Sequence, residues 1–166
     1  WADYGGQAGC ELDLSAAFDM IQHEMAAEAL QYQGTPAVVV RWLRLTWSAP
    51  RHCHVRGQVA EALLPTRGIP AGDPLSMRVL GLVMAQWHRI VEKIGPRLHT
   101  WAYADDRTIV AKQDEQSNDS LTAAELITKA LLATAEVFDT PTGLVENAKK
   151  RQQWSDSEEN ACEHLG

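Results

Sequence analysis

Three aspartates stand where this sequence can do chemistry. Asp105 and Asp106 are adjacent in TWAYADDRTIV (100–110), where flanking aromatic and β-branched residues read as a strand, a tight turn and a second strand. Asp13 ends the apolar run CELDL (10–14), read as a short strand that precedes a helix, so its side chain projects into a crevice beside a sheet. Adjacent carboxylates are unfavourable unless a cation or donors compensate, although a solvated turn tolerates them and Asp is a common turn residue. If the two segments are neighbours, three carboxylates meet at one edge, and divalent ions are the natural remedy. Oxygen-only ligands suit Mg2+, and two such ions roughly 3.5 to 4 Å apart can activate an attacking hydroxyl and stabilise the leaving oxygen of an in-line phosphoryl displacement.

The elements that must hold these residues follow from pattern. SAAFDMIQHEMAAEALQYQG (15–34) predicts one helix, with Asp19 and Gln22 at capping-box spacing and Gly34 as its stop. Thr35 and Pro36 predict the cap and first turn of a second helix through VVVRWLRLTW, halted at Pro50. RHCHVRGQVAEALL (51–64) predicts a hairpin turning at Arg56 and Gly57, and PTRGIPAGDPLS (65–76) is too rich in proline and glycine for a regular element. Asp73 and Pro74 begin a long helix whose Leu75, Val79, Leu82, Val83 and Ile90 recur at helical spacing. QDEQSNDS (113–120) reads as a loop. A further helix is expected from about Leu121 to Phe138, ending before Pro141 and Gly143, with KKRQQW (149–154) as a strand, SDSEEN (155–160) as a loop and no repeat or linker anywhere.

Composition narrows the class. At 166 residues and 45% hydrophobic, the chain predicts one ordinary domain with a sizeable core. No stretch approaches the roughly 18 apolar residues of a membrane span, and WADYGGQAGC has no signal-peptide pattern, so an intracellular location is expected. Cys10, Cys53 and Cys162 form neither a disulfide framework nor a zinc knuckle, and His52 and His54 in HCH read as one face of an exposed strand. The net charge of −7 argues against a self-sufficient nucleic-acid binder. RWLR, RHCHVR and KKR are nevertheless local basic clusters, and an acidic balance also suits a site that collects divalent cations.

Four segments in order resemble the palm motifs of reverse transcriptases: LDLSAAFD (12–19), RGIPAGDPLS (67–76), YADD (103–106) and GLVENAKK (143–150). HLG (164–166) is similar to the start of the primer grip, and the overall flavour is that of non-LTR retrotransposons and group II introns. The resemblance covers about residues 10–166. It implies an α+β polymerase palm, an antiparallel sheet with an acidic β-hairpin backed by helices, that copies RNA into DNA. It also implies that residues 1–166 are a palm fragment, with fingers before Trp1 and a thumb after Gly166.

By the same resemblance, Asp13 and Asp105 hold two Mg2+ ions, with Mn2+ as a substitute, Asp106 is a further ligand or electrostatic support, and the Leu14 carbonyl completes one shell. Phe18 occupies the position that lies against the sugar and excludes a 2′-hydroxyl; the alternative reading is a core phenylalanine on the inner face of the helix. Arg67, Gly68, Ala71 and Gly72 belong to the loop along the incoming nucleotide and template, with the two glycines allowing close backbone approach. Lys150 aligns with a lysine that protonates the departing pyrophosphate, with Lys149 the alternative register. Asp19 also matches a family position, but its spacing to Gln22 assigns it to capping, and His23 on the same helix reads as structural. The implied partners are an RNA template, a DNA primer and dNTPs, with no membrane.

Several positions depart from the family pattern. Ala71 stands for a glutamine, Ala16 for a lysine, Met77 for a proline, Arg107 for an apolar residue and Glu146 for a leucine. A charge directly after the carboxylate pair must reach solvent or partner a carboxylate, where it would compete with metal. Three other readings are a decayed or domesticated palm that binds nucleic acid or protein, another palm enzyme such as a nucleotidyl cyclase, and an α+β interaction domain with an incidental Asp-Asp turn.

Overall fold

The computed structural model describes residues 6–112 and 121–155. The loop at 113–120, the SDSEEN loop beyond Ser155, Cys162 and HLG lie outside the described residues. In chain order the elements are β1 (Gly6–Asp13), α1 (Ala17–Met20), α2 (His23–Tyr32), α3 (Ala37–Trp47), β2 (His54–Val55), β3 (Gln58–Val59), α4 (Pro74–Ile94), β4 (Leu98–Tyr103), β5 (Asp106–Lys112), α5 (Ala123–Thr134), a π-helical turn (Ala135–Asp139), α6 (Thr140–Thr142) and β6 (Gln152–Ser155).

The central sheet has the order β4-β5-β1-β6, antiparallel throughout, and β2-β3 is a separate two-stranded ribbon. Period-two alternation sorts its faces. Ala8, Cys10 and Leu12 of β1, with Arg107, Ile109 and Ala111 of β5, are buried, whereas Glu11, Asp13, Asp106 and Thr108 are not. Helix α4 packs on β4 and α5 on β1 and β5, so the buried set faces the helices and the acidic set faces an open cleft. Each fully buried Leu, Ile or Val side chain in such a core contributes about 1.5–3 kcal/mol. On the cleft face, Trp154 of β6 lies directly over Gly9, its cross-strand partner, in space that a β-carbon would occupy.

Helix α4 starts as expected: Asp73 caps it, its Oδ1 accepting from the Leu75 backbone N–H at 2.9 Å, and Pro74 opens the first turn. The buried stripe has a different phase from the expected one. Val79 and Val83 are in it, Leu82 and Ile90 flank it half-buried, and Leu75 is exposed. Ser76, Leu80, Met84, Trp87 and Val91 complete the stripe, because the large Trp87 and Leu80 set which face turns inward.

The helix expected over 15–34 is two helices. Ile21 is extended, with ψ at 132°, and Gln22 precedes α2 without a side-chain capping bond, so Asp19 and Gln22 form no capping box. The break exposes backbone groups that the RGIP loop satisfies: Gly68 N–H donates to Ile21 O at 2.8 Å and Ile69 N–H to Phe18 O at 2.7 Å. Only glycine fits there, because Gly68 has φ +86° and its β-carbon would lie 2.9 Å from the Asp19 carbonyl oxygen. His23 secures the same contact through an Nε2 hydrogen bond to Gly68 O at 2.8 Å while packing on Trp47, which makes it structural, as expected.

Gly34 does end α2, in a Schellman arrangement: its N–H donates to Gln31 O and that of Thr35 to Leu30 O. Pro36, rather than Thr35, is the cap position of α3, which stops at Trp47. Arg56 and Gly57, with φ of 50° and 79°, make the hairpin turn as expected. The expected helix from Leu121 begins instead at a true capping box between Thr122 and Glu125 and continues through Pro141 to Thr142. Pro141 has no N–H to donate and crowds the carbonyl four residues back. The preceding turn accordingly widens to a π-helix before Gly143 ends the run at φ +73°.

Candidate active site

Antiparallel pairing brings the three aspartates to one end of the sheet. Asp13 lies directly opposite Asp106 across β1 and β5, so the two side chains share the open face. Asp105 occupies the two-residue β4–β5 turn, and its carbonyl accepts from Leu14 N–H at 3.1 Å, tying the turn to the end of β1. Both reversals beside the carboxylates use alanines in left-handed backbone, Ala104 at φ 53° and Ala16 at φ 48°. A non-glycine residue held there costs on the order of 1–2 kcal/mol, and such strain persists only where the surroundings over-determine it.

Like charges directly opposite in a sheet repel, and the fourth motif meets that repulsion. Lys150 Nζ lies 2.9 Å from Asp13 Oδ1, and Asn147 donates to Asp13 twice, from its side chain to Oδ2 at 3.2 Å and from its backbone to the carbonyl at 2.8 Å. The hydrogen bond and charge of Asp13, followed by the charges of Asp105 and Asp106, raise the Lys150 pKa above its usual value. This ammonium therefore feels all three carboxylates. Lys149 forms no such pair among the described residues, so the lysine that meets the acidic centre is Lys150. Sequence reasoning passed over Asn147; its place in the same short motif as Lys150 was the available signal.

The cleft has a volume of about 600 Å3 and is lined by the acids Glu11, Asp13 and Asp106 and by the bases Lys149, Lys150 and Arg151, among others. Its donor chemistry, carboxylate oxygens without thiol or imidazole, fits hard cations such as Mg2+. As they stand, the carboxylates are aligned on one face but not closed into a group of three metal-ligating side chains among the described residues. The HCH triplet likewise takes part in no metal-ligating group there.

Arg107 partners a carboxylate, one of the two outcomes expected for it, but the carboxylate is Asp139 and not one of this centre. Arg107 is only 1% exposed, on the helix side of β5, and donates to Asp139 at 2.7 and 3.2 Å with its guanidinium over the Trp87 ring. Strand alternation is the reason: adjacent residues Asp106 and Arg107 point to opposite faces. Glu146, the other charged departure, accepts two bonds from Arg151 at 2.6 and 2.7 Å.

The remaining residues of interest lie on α1 and on the loop that packs against it. Phe18 is half-buried against the core, which accommodates its packing reading. Arg67, Ala71 and Gly72 are exposed on the 65–73 loop. Gly72 has φ +88° with open space where a β-carbon would lie, whereas Gly68 is spent on packing against α1, not on open approach.

An antiparallel sheet with helices on one face and an acidic hairpin at its open end defines the class, an α+β polymerase palm. The match to solved structures agrees on the fold. Telomerase from Candida tropicalis in complex with a fragment of telomeric RNA aligns at a TM-score of 0.67 and 7% identity, over 91% of this chain and 26% of that one. A truncated apo form of the same telomerase aligns at 0.52 over 89% and 30%, also at 7% identity.

The reverse transcriptase (RNA-dependent DNA polymerase) family model matches residues 3–166, and the chain belongs to that family. Its relatives are of the non-LTR retrotransposon type. A retrovirus-related Pol polyprotein from a type-2 retrotransposable element of Drosophila melanogaster is 32% identical over 108 residues, 61% of this chain and 10% of that protein. A counterpart from a type-1 element of Nasonia vitripennis is 27% identical over 124 residues, 69% and 12% respectively. The chain thus spans about a tenth of the length of these curated relatives.

Proposed function

We propose that this chain carries the nucleotidyl-transfer centre of a retroelement RNA-directed DNA polymerase, joining a dNTP to a primer 3′-hydroxyl on an RNA template inside the cell. The observation that carries this reading is the register of Asp13 against Asp106, with Asp105 in the intervening turn and Lys150 on Asp13. Asp13 and Asp105 would hold two Mg2+ ions, with Asp106 and the Leu14 carbonyl in support. Bound there, such ions lower the pKa of the attacking hydroxyl and neutralise the leaving pyrophosphate.

The protein's own groups have separable tasks. Lys150 would carry a proton at Nζ for the leaving pyrophosphate oxygen. Asn147 orients Asp13 from the side opposite the lysine. Phe18 would limit space at the sugar, and Arg67, Ala71 and Gly72 would flank the nucleotide and template, with Gly68 anchoring their loop on α1. Arg107 is engaged with Asp139 and does not occupy Asp13, Asp105 or Asp106, which weakens the alternative of a non-catalytic palm.

The test is primer extension on an RNA template with Mg2+ or Mn2+, using the longest expressible chain that contains these residues. The D105N/D106N variant should abolish extension, and K150A should slow the chemical step by about 100-fold or more. A folded parent that extends no primer, or that makes cyclic or dinucleotide products without one, would overturn the reading.

A further inference from the structure

Lys150 has little of its own to keep it on Asp13. Its side chain is 63% exposed, against 15% for Asp13, and an exposed ion pair is worth less than the rotamer freedom that a lysine gives up to form it. What fixes the ammonium must therefore lie in the backbone that carries it. Residues 147–150 form a turn, neither helix nor strand, closed by a backbone bond from Lys150 N–H to Asn147 O at 2.9 Å.

The two ends of that turn are tied down differently. On the near side, residues 145–147 run antiparallel to the end of β1. Ser15 N–H donates to Val145 O at 2.8 Å, Asn147 N–H to Asp13 O at 2.8 Å, and Leu14 bridges Glu146. On the far side, strand pairing resumes only at Gln152, opposite Glu11. Glu146 and Arg151 join the two ends: the Arg151 Nε–H donates to one Glu146 carboxylate oxygen at 2.6 Å and a terminal guanidinium nitrogen to the other at 2.7 Å. Two bonds from one guanidinium to one carboxylate fix direction as well as distance. The two side chains, 34% exposed for Arg151 and 16% for Glu146, are also more enclosed than Lys150. The pair thus runs from the residue before Asn147 to the residue after Lys150, and those two are the donors to Asp13. Glu146 is one of the positions that depart from the family pattern, so this closure belongs to this chain's own residues.

We propose that the Glu146–Arg151 pair is a clasp that aims Lys150 and Asn147 at Asp13, which makes Glu146 and Arg151 positioning residues for proton delivery to the leaving group. The delivery step rests on the polymerase reading above; the aiming does not. In that step the proton on Nζ passes to the pyrophosphate oxygen as its bond to phosphorus breaks, and the amine left behind is reprotonated by solvent. The clasp acts through the backbone: by fixing both ends of a short turn, it limits where the lysine stem starts and so how much of its time the ammonium spends in place.

The experiment pairs lysine acylation, read by peptide mass mapping, with single-turnover primer extension. It compares the parent, E146A, R151A, R151K, K150A and E146A/K150A in the longest expressible chain that contains these residues, each with its melting temperature measured. Lys149, the exposed neighbour, is the internal standard for labelling. Without the clasp, labelling of Lys150 relative to Lys149 should rise by about 1.5- to 5-fold in both E146A and R151A. R151K keeps the charge but not the planar fork, so it should fall between R151A and the parent, and it supplies the comparison if either alanine variant melts lower. Extension by E146A should slow by about 10- to 100-fold, with the dNTP concentration for half-maximal rate within about twofold of the parent. In the K150A background E146A should add less than about twofold, because both changes act on one step.

A residue that merely supports the fold would slow both backgrounds equally, and that result overturns the proposal. So does a parental labelling ratio in the clasp variants, whether or not the parent extends primers. A clasp-dependent ratio in a parent that extends none would overturn the polymerase reading and leave the aiming of Lys150 in place.

Discussion

Arg107 and Asp139 are joined by two hydrogen bonds, of 2.7 and 3.2 Å, between the strand residue immediately after Asp106 and the last residue of the π-helical turn. Their side chains are 0% and 13% exposed, so the pair is formed inside the protein, under the sheet whose other face carries the carboxylates. It ties the acidic hairpin to the helix that buttresses it, and the widened turn imposed by Pro141 carries the aspartate that receives the guanidinium.

Removing one member of that pair should cost far more than removing both. R107L leaves the Asp139 charge buried and should destabilise by about 3–5 kcal/mol, whereas R107L/D139L should return close to the parent. Urea unfolding of the three proteins measures this directly. Equal stability of the two variants would mean that the ion pair is not the reason Arg107 is tolerated.

The described cysteines should differ sharply in reactivity. Burial pushes the Cys10 thiol up to about 11, while Cys53 is exposed on the loop leading into the ribbon. At pH 8 a maleimide or iodoacetamide should label Cys53 readily and Cys10 only after denaturant is added, because thiolate is the reacting form. Peptide mass mapping of both sites provides the readout.

Stability should decline as the medium becomes mildly acidic, in part through His88. Its pKa is lowered, chiefly by burial and against the opposing charge of Glu92, and its ring contacts the Thr100 hydroxyl. For a group depressed in the folded state, the contribution is fully present above the unfolded value of about 6.5 and is lost as the pH falls below it. Melting temperatures at pH 7.5 and 5.5 should therefore fall less in H88N than in the parent.

Gly68 should not accept a side chain. G68A forces a β-carbon into left-handed backbone, 2.9 Å from the Asp19 carbonyl oxygen. A cost of about 1–3 kcal/mol is expected, with the RGIP loop freed from α1 and more susceptible to limited proteolysis. G72A has the same backbone conformation but open space, so it should show the strain without the loosened loop.

Local chemistry made much of this molecule legible in its sequence. The strand ending at Asp13, the Asp-Asp turn, the Arg56–Gly57 turn and the Asp73–Pro74 helix start each depend on a few neighbouring residues, and each is present. Where long-range contacts decide, the same rules failed. Asp19 and Gln22 had the spacing of a capping box, but the helix broke between them because the distant RGIP loop supplies the hydrogen bonds that an unbroken helix would have kept internal.

The sequence by itself determined the type and order of the acidic and basic groups, and through its motifs the family. Only the tertiary structure decided which charges meet. Lys150 reaches Asp13 across 137 residues, while Arg107, next to Asp106 in the chain, turns away to Asp139. The physical reason is that strand pairing sets which residues share a face, and a one-residue step along a strand reverses it.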